Sequence, residues 1–142
     1  MEKELLNTFD KELLLKDLCA RLPYGVKVES VFINTDTKKR KSCGIEVFDA
    51  TCILMIRDGF GEFKPYLFPL SSITEGQKNQ ISQLLLDAKI EFPPYEEDYA
   101  NLLVSSIKQS NALINYCLAN HFDINGLIEE GLAIDATGLN IY

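Results

Sequence analysis

Cys117 and His121 stand four residues apart, a spacing that puts two side chains on one face of a helix. A thiolate and an imidazole so placed could share a metal ion, or act as nucleophile and general base with Asp123 or Asn125 orienting the ring. A metal site needs further ligands, and the other cysteines, Cys19, Cys43 and Cys52, form no second spaced pair and no C-x-x-C motif. Cys117 also falls on an apolar helical face, where a thiol is generally inert. The simpler reading makes Cys117 a small core residue and His121 a polar helix end, with no metal and no cofactor.

A second constellation is the run Lys38-Lys39-Arg40-Lys41, which could contact nucleic-acid phosphates. No aromatic residue interleaves the cations to stack bases, so a solvated hairpin loop between strands accounts for the run more simply. Adjacent acids (Glu96-Glu97, Glu129-Glu130) and Asp135 read as solvated surface, because acid/base catalysis needs a carboxyl with a shifted pKa in a cleft. Ser71 and Ser72 lack a nucleophile elbow and read as turn residues. The third constellation is aromatic. Tyr66 and Phe68, beside Tyr95 in a double-proline loop, form the best candidate for a recognition surface, with a protein as partner.

Composition narrows the classes. The chain has 142 residues, of which 46% are hydrophobic and 25% charged, an ordinary globular balance that suits a single domain over 1–142. A net charge of -7 argues against general affinity for nucleic acid or anionic membrane. The opening residues lack the apolar stretch of a signal peptide, and no apolar run is long enough to span a bilayer. A cytoplasmic protein with reduced cysteines is the expectation.

The elements that must position these residues begin at Lys11. Leu14, Leu15, Leu18, Cys19 and Leu22 share one helical face, with Lys16, Asp17 and Arg21 on the other, and Thr8 and Asp10 are candidate caps. Pro23 ends that helix and Gly25 turns the chain into a strand. The sheet is expected to contain Val26–Ile33, Gly44–Phe48, Ala50–Arg57 and Glu62–Tyr66, with Asp49 at a bend and Asp58-Gly59 in a turn. Thr74 and Gln77 have capping-box spacing ahead of a helix bearing Ile81, Leu84 and Leu85. Ala88–Phe92 fits a short strand before Pro93-Pro94, and Tyr95–Asp98 an acidic loop. Residues Tyr99–Leu118 fit either one long helix or a strand over Leu102–Lys108 followed by a helix from Ala112. Asp123 would cap a short last helix that ends at Gly131, ahead of an extended tail.

Three segments carry a resemblance: KELLLKDLCARLPYGVKV at 11–28, KPYLFPLSSITEGQK at 64–78 and HFDINGLIEEGLAIDATGLNIY at 121–142. They resemble recurrent segments of small uncharacterised bacterial proteins of gut commensals, their prophages and other mobile elements. The resemblance implies no catalytic residue. It implies short strands between the first two segments and before the last, which favours the strand at 102–108. The chain is thus expected to be α+β, with an N-terminal helix, a small twisted antiparallel sheet or partly open barrel of about 4–5 strands, and C-terminal helices. The expected function is that of a non-enzymatic accessory or binding module, with the basic-loop nucleic-acid binder and the Cys/His hydrolase or metal site as alternatives.

Overall fold

A computed structural model describes residues 8–89, 99–107 and 109–142. Ala88 and Lys89, the start of the strand expected at Ala88–Phe92, form a turn, and 90–92, the 95–98 loop and Tyr95 lie outside the described residues. The fold is α+β, with a four-stranded open sheet. Helix α1 (Thr8–Ala20) already includes Thr8 and Asp10, so neither flanks it as a cap, and it leads through a 3-10 turn (Leu22–Tyr24) into β1 (Lys27–Ile33). Strand β2 (Arg40–Val47) pairs antiparallel with one side of β1, and β3 (Gly61–Leu67) pairs antiparallel with the other. Between them lies α2 (Ala50–Asp58).

That helix replaces the strand expected at Ala50–Arg57, and the reason is topological. Because β2 and β3 flank β1 and both run against it, they are parallel to each other. The chain must therefore cross back over the sheet between them, which a hairpin cannot do and a helix can. Local chemistry agrees. Asp49, expected at a bend, is the N-cap, its carboxylate accepting from the Cys52 amide at 3.1 Å. Gly59 closes the other end, its amide donating to Ile56 O while Phe60 N donates to Met55 O. A short apolar run such as Cys52–Ile56 does not distinguish strand from helix by periodicity alone.

Helix α3 (Glu75–Asp87) starts at the expected capping box, with Thr74 Oγ1 accepting from Gln77 N and Gln77 Oε1 from Thr74 N. Of the strand expected at Leu102–Lys108, Leu102–Ile107 is instead the C-terminal part of helix α4 (Tyr99–Ile107), which directs Leu103, Ser106 and Ile107 inward at helical spacing, and Lys108 lies outside the described residues. Helix α5 (Asn111–Ala119) begins after Ser110, whose hydroxyl accepts from Leu113 N. No regular helix follows Asp123. Its carboxylate reaches the amides of Leu127 and Ile128 across the Asn125-Gly126 turn, where Gly126 adopts a φ of 70° that interrupts a helix. The tail adds β4 (Ile134–Asp135), parallel to Tyr66 and Leu67, so the sheet is mixed rather than wholly antiparallel.

Two apolar clusters result. One joins α1, the inward face of β1 and β3, α2 and the 127–133 segment around Leu18, Val28, Phe63 and Leu132. The other joins α3, α4 and α5 around Ile81, Leu103, Leu113 and Phe122. A buried ion pair ties the first cluster to the turn that carries Phe122. Asp17 and Arg21, expected on the solvent face of α1, are 2% and 0% exposed. Arg21 donates from Nε and Nη2 to the Asp17 carboxylate, at 2.7 and 3.1 Å, and from Nη2 to Phe122 O at 2.8 Å. Asn125 Nδ2 donates to Asp17 at 2.7 Å, while Arg21 Nη1 is buried without a partner. Cys19, expected in the core, is exposed, because the helix turns the Asp17/Arg21 edge inward instead.

Removing one member of a buried pair strands the other. Arg21→Met is expected to destabilise the protein by about 3–5 kcal/mol. The combined Arg21→Met/Asp17→Leu variant, which buries no ion, should recover part of that loss. The midpoint of urea unfolding measures both.

Candidate functional site

A cleft of about 420 Å³ opens where the end of β3, the start of α3, the end of α5 and the C-terminal tail meet. Its walls include Phe68, Gln77, Asn120, His121, Thr137 and Tyr142. Among the described residues no acidic side chain and no lysine or arginine lines it.

The position of His121 follows from how α5 ends. Phe122 N donates to Cys117 O and His121 N to Leu118 O, the paired bonds of a helix that closes through a left-handed residue. His121 occupies that position with a φ of 62°, where a non-glycine side chain costs roughly 1–2 kcal/mol. The strained backbone presents the imidazole to Tyr142, and the two rings stack at 3.7 Å and 11°. Phe68 lies against the same tyrosine, with ring centres 5.9 Å apart. The chain entering the cleft is held by Phe68 N donating to His121 O and Asp123 N to Phe68 O.

Tyr142 is anchored by its hydroxyl, which donates to Tyr66 O at 2.7 Å and accepts from Lys27 N at 2.9 Å. Lys27 Nζ donates to Ile141 O and sits 5.9 Å from the Tyr142 ring centre, so β1 clamps the tail from both sides. Tyr66 itself is buried, while Phe68 reaches the cleft. The recognition residues read from the sequence therefore divide. Phe68 lines the site, Tyr66 supports it through its carbonyl, and Tyr95 lies outside the described residues.

The Cys117/His121 pair does not have the electrostatics of a nucleophile and base. Burial drives the Cys117 thiol up to about 12, against the smaller opposing pull of the Arg21 charge. Burial drives His121 down to about 4, and the positive charges of Arg21 and Lys27 push the same way. Its Nδ1 is buried with no hydrogen-bond partner. Both candidate orienting residues are engaged elsewhere, Asp123 by the Leu127 and Ile128 amides and Asn125 by Asp17. Among the described residues no group of three or more His, Cys, Asp or Glu side chains could hold a metal ion.

The basic run does not form one patch. Lys38 and Lys39 lie in the β1–β2 turn, while Arg40 pairs with Glu62 on the open face of the sheet. Lys41, opposite Phe32, points to the other face. Among the described residues no helix is long and apolar enough to cross a membrane. No family model, curated protein or solved structure matches the chain.

Sequence reasoning missed Tyr142 and the Asp17–Arg21 pair. The i,i+4 acid–base spacing of that pair was a usable signal, although it also suits an exposed helix face. Nothing local marks Tyr142, whose partners lie 21 to 115 residues away in sequence.

Two measurements check the site. His121 is the chain's one histidine, so its proton NMR titration is unambiguous and should have a midpoint of about 4, not 6.5. Because the folded-state value lies below the unfolded one, the unfolded chain binds more protons between those values. This histidine's contribution to stability is therefore full above pH 6.5 and is lost as the pH falls towards 4, and His121→Asn should lack that component. In a thiol titration of the native protein, exposed Cys19 and Cys43 should react quickly, and buried Cys52 and Cys117 after unfolding.

Proposed function

We propose that the chain is a non-catalytic binding module that receives an uncharged, ring-bearing group of a partner protein in the Phe68/His121/Tyr142 cleft. The observation that carries this reading is the site's chemistry: an aromatic wall and a histidine kept neutral at physiological pH, with amide and hydroxyl side chains rather than charges around them. Such walls favour flat apolar groups and discriminate most against cations, which would lose hydration beside the positive charges of Lys27 and Arg21. The resemblance of segments 11–28, 64–78 and 121–142 to small bacterial and prophage proteins is consistent with an accessory role in a bacterium or mobile element. Two of those segments contribute cleft residues. A raised thiol pKa, a lowered imidazole pKa and the missing orienting partner all weigh against the Cys/His hydrolase.

The test is an NMR titration with short peptides that present tyrosyl, phenylalanyl or prolyl side chains, beside acidic and basic peptides of equal length. Uncharged ring-bearing peptides should shift the amides of Asn120, His121, Thr137 and Gly138, and Phe68→Ala should weaken them at least about tenfold, the scale of a lost aromatic contact. Binding confined to charged peptides, or shifts centred elsewhere, would defeat the reading.

A further inference from the structure

Edge strand β2 presents a second surface that the cleft does not use. All its residues, Arg40–Val47, are exposed, and among the described residues no strand pairs with the side that faces away from β1. Such an edge displays N–H and C=O groups ready to accept another strand. Ile45 and Val47 lie on the open face of the sheet, opposite Glu29 and Lys27, and remain 52% and 49% exposed.

A bulge determines what this edge can pair with. Ser30 is opposite Gly44 and Val31 opposite Ser42, so Cys43 is an extra residue, and Gly44 takes a φ of 87° beside it. In a regular strand Lys41 and Glu46 would point to opposite faces. The extra residue resets the alternation. Lys41 lies opposite Phe32 and Glu46 opposite Val28, and both now share the helix-covered face.

We propose that β2 pairs antiparallel with β2 of a second copy of this chain, about a two-fold axis through the Cys43-Gly44 bulge. Lys41 then faces Glu46 of the partner subunit, and the symmetry supplies the same pair again. Ser42 faces Ile45 of the partner subunit on the other side of the sheet, and the two four-stranded sheets become continuous. Other two-fold registers lack this match. An axis at Lys41 or at Glu46 sets like charges directly opposite, which is destabilising. An axis at Ile45 puts Glu46 against Gly44. The unpaired backbone and the charge match both point to a second copy as occupant.

Sedimentation equilibrium tests the proposal. The wild-type chain should dimerise, and Lys41→Glu or Glu46→Lys should each weaken the dimer by about tenfold or more, because each reverses both symmetric pairs. The double reversal Lys41→Glu/Glu46→Lys should return the dissociation constant to within about threefold of wild type. A chain monomeric at every accessible concentration, or a dimer indifferent to the single reversals, or a double variant no tighter than the singles, would overturn it. A second measurement does not depend on those variants folding. In a Cys19→Ser chain, mild oxidation should join Cys43 to the partner's Cys43, because the axis through the Cys43-Gly44 bulge brings the two exposed thiols to neighbouring positions on one face. The absence of that cross-link under oxidation would also overturn the proposal.

Discussion

The buried pair of Asp17 and Arg21 is the contact on which the rest of the arrangement depends. Two ions removed from water must be matched closely, and here the matching uses groups from both ends of the chain. Arg21 spans the carboxylate one helical turn back and the carbonyl of Phe122, and Asn125 completes the carboxylate's bonding. The N-terminal helix is thus joined to the turn that closes α5, and Phe122, itself buried among α3, α4 and α5, connects one apolar cluster with the other. An apolar replacement could fill the space, but it would not specify which loop meets which helix.

The same guanidinium affects the cleft through its charge. Burial is the larger influence on both Cys117 and His121, yet Arg21 pushes the thiol down and the imidazole down. For Cys117 this opposes burial, and for His121 it reinforces burial. A residue that organises the fold therefore also adds to the burial that keeps the histidine neutral. The left-handed backbone at His121 is strained, and it persists because the Schellman bonds, the stacked Tyr142 and the Phe68 backbone pairing hold it from three directions. The cleft is in this sense a consequence of chain closure, since its walls come from segments that meet only when the tail docks beside β3.

The sheet carries two unlike edges. At β4 the tail covers the edge, and its tyrosine is locked onto β1 and β3. At β2 no other described strand covers the edge, and Ile45 and Val47 are exposed on one face. Lysines and a bulge commonly discourage indiscriminate strand pairing. Here the bulge also realigns one acid and one base onto the same face, so discouraging most registers and favouring a particular one arise from the same extra residue.

Much of the local structure could be read from the sequence alone: the presence of α1 ahead of the Pro23-Tyr24-Gly25 turn, although not which of its faces is buried, the capping box at Thr74 and Gln77, a helix beginning close to Ala112, and the α+β class. These signals act through bonds within a few residues, so the order of residues is enough to determine them. The misreadings share a different origin. Cys52–Ile56 became a helix because β2 and β3 are parallel, and Leu102–Ile107 became one because it packs against α3 and α5. Asp17 and Arg21 turned inward because Phe122 O and Asn125 were there to receive them. Phe68, a candidate from the sequence, lines the cleft, while Tyr142 could not be read there, since its contacts come from residues far away in the chain. The sequence by itself determined the capping box of α3 and the turns at Gly25 and Gly59, because those are short-range. Only the tertiary structure decided which polar residues are buried, which aromatic rings stack and where the cleft lies, because each of those depends on partners brought together by folding.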